Sequence, residues 1–519
     1  MMTWTLPEPL PTDTEVLHAL VASQRDHIAE LEQRLAWFSE QYRLAQHRRF
    51  AARREHCPHQ LDLFADLLDE AHQAALAASH PDQPWGNDPP ERGAAKPQRR
   101  RSGRPPLPPN LPREPITHDL ADEDKICPCC GKPKQRIGET RSEQLDIEPP
   151  RLKVIEHIQL KYACAECDEG GVVTASKPPQ ALPKSNASPG LLAYLVVAKV
   201  MDGLPLYRQE RIFDRLGYPL ARSTQASWLI KAGQLIQPLL NLLHDALLTR
   251  DIILADETTF QVLKEPGRAP QTTSFLWCYR SGCGPPVVLF DYSETRAGRN
   301  PQAYLEGFSG YLLTDGYVGY DSVRTALSQP LLVGCWFHVR QHFHDIVKAR
   351  PAGAEPGLAD EALAYINTLF RLERQWRTCS AEQRRQLRQQ FSAPVLAQFK
   401  TWLERHLTAT APKTLLGKAI RYALRFWTRL TRFLDEGRLP LSNNETEQAI
   451  KLFVMGRKAF LFADSPAGAK ALANLYSLVQ TARANALEPW AYLKRVFTEL
   501  PQAETVEQIE ALLPWNPVT

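Results

Sequence analysis

The chain has 519 residues, 43% of them hydrophobic and 23% charged, which at roughly 150 residues per domain implies about three or four folded units and excludes one compact domain. Its 62 lysines and arginines against 58 acids leave a net charge of only +4, so affinity for nucleic acid must come from local basic clusters and not from bulk charge. The ten cysteines are too unevenly spaced for a disulfide scaffold, no apolar run reaches the roughly 18 residues of a membrane span, and the N-terminus lacks a signal-peptide layout. A cytoplasmic, reducing location is expected.

Between Thr14 and about Phe50 there is no glycine or proline, and Leu17, Val21, Gln24, Ile28, Leu31, Leu35, Phe38 and Tyr42 alternate spacings of four and three. That is a heptad seam. It predicts a coiled coil over 14–56 and self-association, the alternative being an amphipathic helix packed on its own domain. Gln24, the polar member, would fix register at some cost in stability. Residues 78–117 read as a linker: from Arg92 to Arg113 there are seven basic residues, six prolines and no acid, too little apolar surface to offset the entropy of ordering. At its centre, Arg99, Arg100, Arg101 and Arg104 are candidates to enter an A·T-rich minor groove; a solubilising tract is the equal alternative.

Two C-x2-C elbows, Cys127 with Cys130 and Cys164 with Cys167, are separated by 33 residues. Four thiolates at two tight elbows suit tetrahedral zinc, and four cysteines leave no open position for chemistry, so the role is structural. The stretch Leu152–Tyr162 reads as a strand feeding the second elbow, which makes 118–182 a zinc ribbon.

Over 186–248 the pattern is helical. Leu204–Leu216, a break at Gly217 and Pro219, and a second helix capped by Ser223 give a helix-turn-helix layout. Arg222, Thr224 and Gln225 would then stand at the start of the second helix, where such motifs reach base edges; an ordinary helical hairpin shares the pattern.

From Asp251 short β-rich runs follow: 252–256, 274–280 and 286–291, a helix at 301–307, then strands at 311–315 and 331–336. Three strands, a helix and another strand is the order of the ribonuclease-H-like fold. In that fold the first and fourth strands are neighbours, so Asp256 and Asp315 can converge. Glu447, on a later helix, is the best-placed third acid. Three such carboxylates suit two magnesium (or manganese) ions roughly 3.5–4 Å apart, which stabilise both the attacking and the leaving oxygen of phosphodiester cleavage. The core is thus expected over 250–345 and 440–482, an all-helical insertion over 346–439, since 131 residues between Asp315 and Glu447 exceed any loop, and a helical tail over 483–519 with Trp490, Tyr492, Leu493 and Val496 on one face.

The sequence resembles the insertion sequence 66 family of bacterial transposases, large DDE-type subunit, over nearly its whole length. The resemblance is carried by the N-terminal coiled coil, both cysteine elbows and Leu204-Pro-Leu-Tyr-Arg-Gln209. In the core it is carried by Ala255-Asp-Glu-Thr258, Thr314-Asp-Gly-Tyr-Val-Gly-Tyr320, Gly334-Cys-Trp-Phe-His-Val-Arg340, Asn443-Asn-x-x-Glu447, Gly456-Arg-Lys458 with Leu461-Phe462, and Tyr476-Ser-Leu478. It implies a DDE triad of Asp256, Asp315 and Glu447, a zinc-binding segment, a DNA-binding N-terminal half, and magnesium-dependent cleavage and strand transfer at element ends. It further implies a homo-oligomer acting on double-stranded DNA with companion proteins of the same element, nucleoid-associated when bound.

His338 and Arg340 are candidates to assist phosphate or water, a buried structural histidine being the alternative. Arg457 and Lys458 are candidate phosphate contacts, with a solvated face as the other reading. Ser442, Gln448, Lys451 and Asp464 depart from the family's usual residues. None replaces a triad acid, but lost guanidinium groups weaken phosphate clamping. The alternative function is a non-catalytic, end-binding repressor derived from a transposase.

Overall fold

The computed structural model describes residues 172–351 and 355–516 continuously, with scattered positions between 13 and 39 and stretches between 112 and 163. The predicted linker centre, with Arg99, Arg100, Arg101 and Arg104, and the four elbow cysteines Cys127, Cys130, Cys164 and Cys167 lie outside the described residues. The chain divides into two units, Met1–Pro58 with Ile158–Thr519, and His59–His157.

In the first unit, the described seam positions Val21, Ile28, Leu31, Leu35 and Phe38 are helical and exposed, Leu35 by 69%. The strand expected over 152–162 is much shorter: only Lys161–Ala163 (β1) pairs, antiparallel with Val172–Thr174 (β2).

Four helices follow: Pro189–Val200 (α1), Leu206–Arg215 (α2), Arg222–Leu235 (α3) and Gln237–Leu248 (α4). Ser188 caps α1 by accepting from the Leu191 amide at 3.2 Å, with Pro189 in the first turn. The expected helix-turn-helix spacing is present in α2 and α3, but the cap is Ala221 and Ser223 lies inside the helix. Helix α3 lies tightly on a later helix, Pro466–Ala484 (α13): a Cβ on Gly233 would stand 2.7 Å from Ala471 Cα.

The sheet is built from Ile252–Gln261 (β3), Thr273–Ser281 (β4), Val288–Ser293 (β5), Tyr311–Thr314 (β6) and Leu331–Gly334 (β7), with the short helix Arg299–Tyr304 (α5) between β5 and β6. Its order is β5-β4-β3-β6-β7, antiparallel through the first three strands and parallel from β3 to β7. Both faces are covered. Ile253 and Ala255 enter one core while Ile252 and Leu254 enter the other, the period-2 alternation of a strand. The β5 edge is closed by α13: Ser477 Oγ and Thr481 Oγ1 accept from the Phe290 and Val288 amides at 2.7 and 3.0 Å, which removes an open ladder.

After β7 come Trp336–Ala349 (α6) and the predicted helical insertion: Leu358–Gln375 (α7), Ala381–Leu387 (α8), a π-helical turn at Arg388–Ser392, Ala393–Ala409 (α9), Leu415–Arg425 (α10) and Trp427–Thr431 (α11). The chain returns through Asn444–Phe460 (α12) and α13, then ends in Pro489–Glu499 (α14) and Val506–Glu510 (α15). Tyr492, Leu493 and Val496 are buried as expected. Trp490 is 38% exposed, its indole N–H reaching Gly190 O at 3.1 Å. No helix among the described residues is long and apolar enough to cross a membrane.

Candidate active site

The parallel pairing of β3 and β6 aligns Ile252 with Tyr311 and Leu254 with Leu313. Continued two residues further, that register sets Asp256 opposite Asp315. Glu447 reaches the same pocket from the first turn of α12. Asn443, the residue before that helix, fixes the approach: its side-chain N–H donates to Ala255 O at 3.0 Å and its backbone N–H to Cys335 Sγ at 3.3 Å. The helix start is therefore fastened to the strand that carries Asp256 and to the turn that opens α6.

The electrostatics follow from that convergence. Burial, then the charges of Glu447, Glu257 and Asp315, push the Asp256 carboxyl well above its usual range. Burial and Asp315 raise Glu447 to about 7. Bringing carboxylates together in a poorly solvated pocket disfavours their ionised forms unless a cation joins them. Neither Asp256 nor Glu447 has a lysine or arginine partner among the described residues. Glu447 Oε1 lies 4.0 Å from His338 Nδ1, and both atoms are buried with no hydrogen-bond partner among the described residues. Burial lowers the His338 imidazole from its usual range against the pull of Asp315.

Around the acids stands a shell that motif reading alone did not assign. Glu257, whose side chain is 2% exposed, accepts from Tyr320 Oη at 2.7 Å and from Arg296 Nε at 2.7 Å. Arg296 lies over the Tyr317 ring at 3.8 Å and within 4.0 Å of Asp315. From the insertion, Tyr422 Oη donates to the Asp315 carbonyl. Tyr320 and Glu257 lie within quoted motifs, so their presence was visible but their pairing was not; nothing in the sequence ties Tyr422 to Asp315 across 107 positions.

Other predicted positions are distributed differently. Arg340 faces the insertion, its Nε donating to Asn367 Oδ1 at 2.9 Å. Arg457 reaches the far end of β3, contacting Thr259 Oγ1 at 2.9 Å, and borders a surface groove with exposed Lys458 and Thr273 and half-buried Gln261. Arg222 is exposed and Thr224 half-buried. Gln225 is a correction: it is fully buried, its Nε2 donating to Leu220 O at 2.8 Å, so it fastens the turn and presents nothing to a groove. Helical period explains this, because Gln225 shares the inward stripe of Trp228, Leu229 and Ala232.

The protein is thus a mixed α/β chain whose five-stranded sheet, covered by helices on both faces, carries a pocket of buried acids. The family model "Transposase IS66 family" matches residues 184–471, "zinc-finger binding domain of transposase IS66" matches 124–168, "IS66 C-terminal element" matches 477–515 and "Transposase C of IS166 homeodomain" matches 37–116. This chain belongs to the IS66 transposase family. Among its relatives is uncharacterized protein y4jD of Sinorhizobium fredii, 33% identical over 521 aligned positions that cover 98% of this chain and 97% of that protein. Uncharacterized protein y4qI of the same organism is 36% identical over 401 residues, 75% of this chain and 73% of its own length.

Proposed function

We propose that the chain is a DDE-type transposase that binds the ends of its element and carries out cleavage and strand transfer with divalent cations held by Asp256, Asp315 and Glu447. The observation that carries this reading is the gathering of Asp256, Asp315 and Glu447 in one poorly solvated pocket, where neighbouring acids raise Asp256 and Asp315 raises Glu447, with the buried Glu447 Oε1 lacking a hydrogen-bond partner among the described residues. Hard oxygen donors at this density fit magnesium or manganese. When bound, the cations supply charge stabilisation at the attacking and leaving oxygens of an in-line displacement. The strand order and the positions of the acids favour a ribonuclease-H-like core.

The protein's own groups set the geometry. Asp256 and Asp315 are positioned by strand register, and Asn443 aims Glu447. Tyr422 braces the backbone at Asp315, while the Tyr320–Glu257–Arg296 chain keeps a guanidinium beside Asp315 without neutralising the pocket. Arg457 and Lys458 border a groove suited to a phosphate backbone. The linker arginines and the exposed Arg222 would add DNA contacts, and Cys127, Cys130, Cys164 and Cys167 would hold a structural zinc. Exposed apolar seam positions on the N-terminal helix favour a homo-oligomer, as joining two element ends requires.

A nicking assay on end-bearing DNA with magnesium tests the reading. Wild type cuts at the ends and Glu447→Ala does not. Equal inertness of the two, with ends still bound, would favour the non-catalytic binder.

A further inference from the structure

One group of side chains at this pocket is chemically unlike a magnesium site. Cys335 directly follows β7 as the residue that precedes α6, and His338 lies three residues on in the first turn of that helix. With Glu447 from α12, their ligand atoms all lie within 4.8 Å of one another. Cys335 is 1% exposed. Its sulfur accepts the Asn443 backbone N–H at 3.3 Å, while burial and the Glu447 charge push the thiol up to about 12, so it keeps its proton until a cation displaces it. His338 Nδ1 and Glu447 Oε1 are buried and have no hydrogen-bond partner among the described residues, and Glu447 is 8% exposed. Buried polar atoms without partners commonly mark an ion or water position.

Magnesium does not select sulfur, whereas zinc takes sulfur, imidazole nitrogen and carboxylate oxygen together. Zinc bonds of about 2.0–2.3 Å in a tetrahedron separate ligand atoms by about 3.3–3.7 Å, so these three side chains close onto an ion with movements of about an ångström. Three protein ligands leave a fourth position open.

We propose that Cys335, His338 and Glu447 form a zinc site distinct from the magnesium positions, and that zinc bound there withdraws Glu447 and inhibits cleavage. On binding, the Cys335 thiol proton leaves to solvent and the thiolate enters the coordination shell. The inhibition rests on the reading of Glu447 as a magnesium ligand; the binding does not.

Cobalt(II) serves as the spectroscopic probe. In the full chain carrying Cys164→Ser and Cys167→Ser, which disables the other proposed thiolate site, cobalt titration gives a thiolate-to-metal charge-transfer band that saturates at one equivalent. Adding Cys335→Ser abolishes the band, and adding His338→Gln weakens the titration midpoint at least about tenfold. If circular dichroism shows that the double serine chain has unfolded, wild type preloaded with one equivalent of zinc takes its place and the same two substitutions are read. Absence of the band, its survival in Cys335→Ser, or a midpoint unmoved by His338→Gln overturns the site. Zinc inhibition of magnesium-dependent nicking that is relieved at least about tenfold by His338→Gln supports the regulatory half; unrelieved inhibition overturns it. An inert wild type that still shows the band refutes the cleavage reading and leaves the metal site standing.

Discussion

Buried charge is treated in opposite ways in the helical insertion and in the acid pocket. Arg388, 0% exposed at the π-helical turn, spends all five guanidinium N–H donors. Nε and Nη2 donate to the Glu373 carboxylate at 2.8 and 2.7 Å, Nη1 donates to Phe433 O and Glu436 O at 2.7 and 2.8 Å, and Nη2 donates to Leu439 O at 2.8 Å. The guanidinium thereby gathers the end of the insertion before the chain returns to Glu447. In the pocket the acids repel, and Glu447 Oε1, His338 Nδ1 and Asn443 Oδ1 are left without hydrogen-bond partners among the described residues. A satisfied charge organises the fold, whereas an unsatisfied cluster keeps binding free energy in reserve for a ligand.

The largest effects test each half of that contrast. Asp256→Asn should lower magnesium-dependent nicking by at least about 10³-fold, since several kcal/mol of transition-state stabilisation depart with the cations, while the melting temperature without metal stays level or rises. Nicking within tenfold of wild type would remove Asp256 from the chemistry. Arg388→Leu should cost about 3–5 kcal/mol by leaving Glu373 and three carbonyls without their donor, read as a lower urea midpoint. An unchanged midpoint would show that the insertion does not depend on this node.

Much of this was legible in advance. Short β-branched runs broken by turn residues located the starts of all five sheet strands to within two residues, because strand periodicity and turn chemistry are local, although β3 runs five residues past its expected end. The proximity of Asp256 to Asp315 followed from strand order, which sequence spacing constrains. Gln225 was misjudged because its polar side chain suggested exposure, whereas helical phase turns it inward with Trp228. Nothing in the sequence set Arg388 apart from the other residues of the helical insertion. A buried arginine satisfied by carbonyls 45 to 51 residues away leaves no local trace, and the same holds for Tyr422 beneath Asp315 and for Cys335 beside Glu447.

Acidity offers a finer probe of the pocket. With Glu447 raised from 4.5 to about 7, the unfolded chain releases this proton first as pH rises. Glu447 therefore costs no stability below pH about 4.5 and a growing amount between about 4.5 and 7, reaching about 3 kcal/mol above that. Glu447→Gln should stabilise the metal-free chain by that amount at pH 8 and leave it unchanged near pH 4, with the pH 8 gain shrinking when magnesium is added to both proteins. A pH-independent difference between the two would mean that Glu447 does not titrate in this window.

The same substitution at Glu265 should act with the opposite sign, because this buried carboxylate resembles Arg388 and not Glu447. It is 5% exposed and accepts from Ser274 Oγ at 2.5 Å, from Tyr292 Oη and from Arg268 Nη1. An amide at this position retains one acceptor oxygen but turns two donors toward donors and leaves Arg268 without its counter-charge. Charge-assisted hydrogen bonds of this kind contribute about 1.5–3 kcal/mol, so Glu265→Gln should lower unfolding free energy by about 2 kcal/mol at pH 8, with magnesium making no difference. If Glu265→Gln and Glu447→Gln shifted stability in the same direction, partner count would not be what separates the structural charges of this protein from the functional ones.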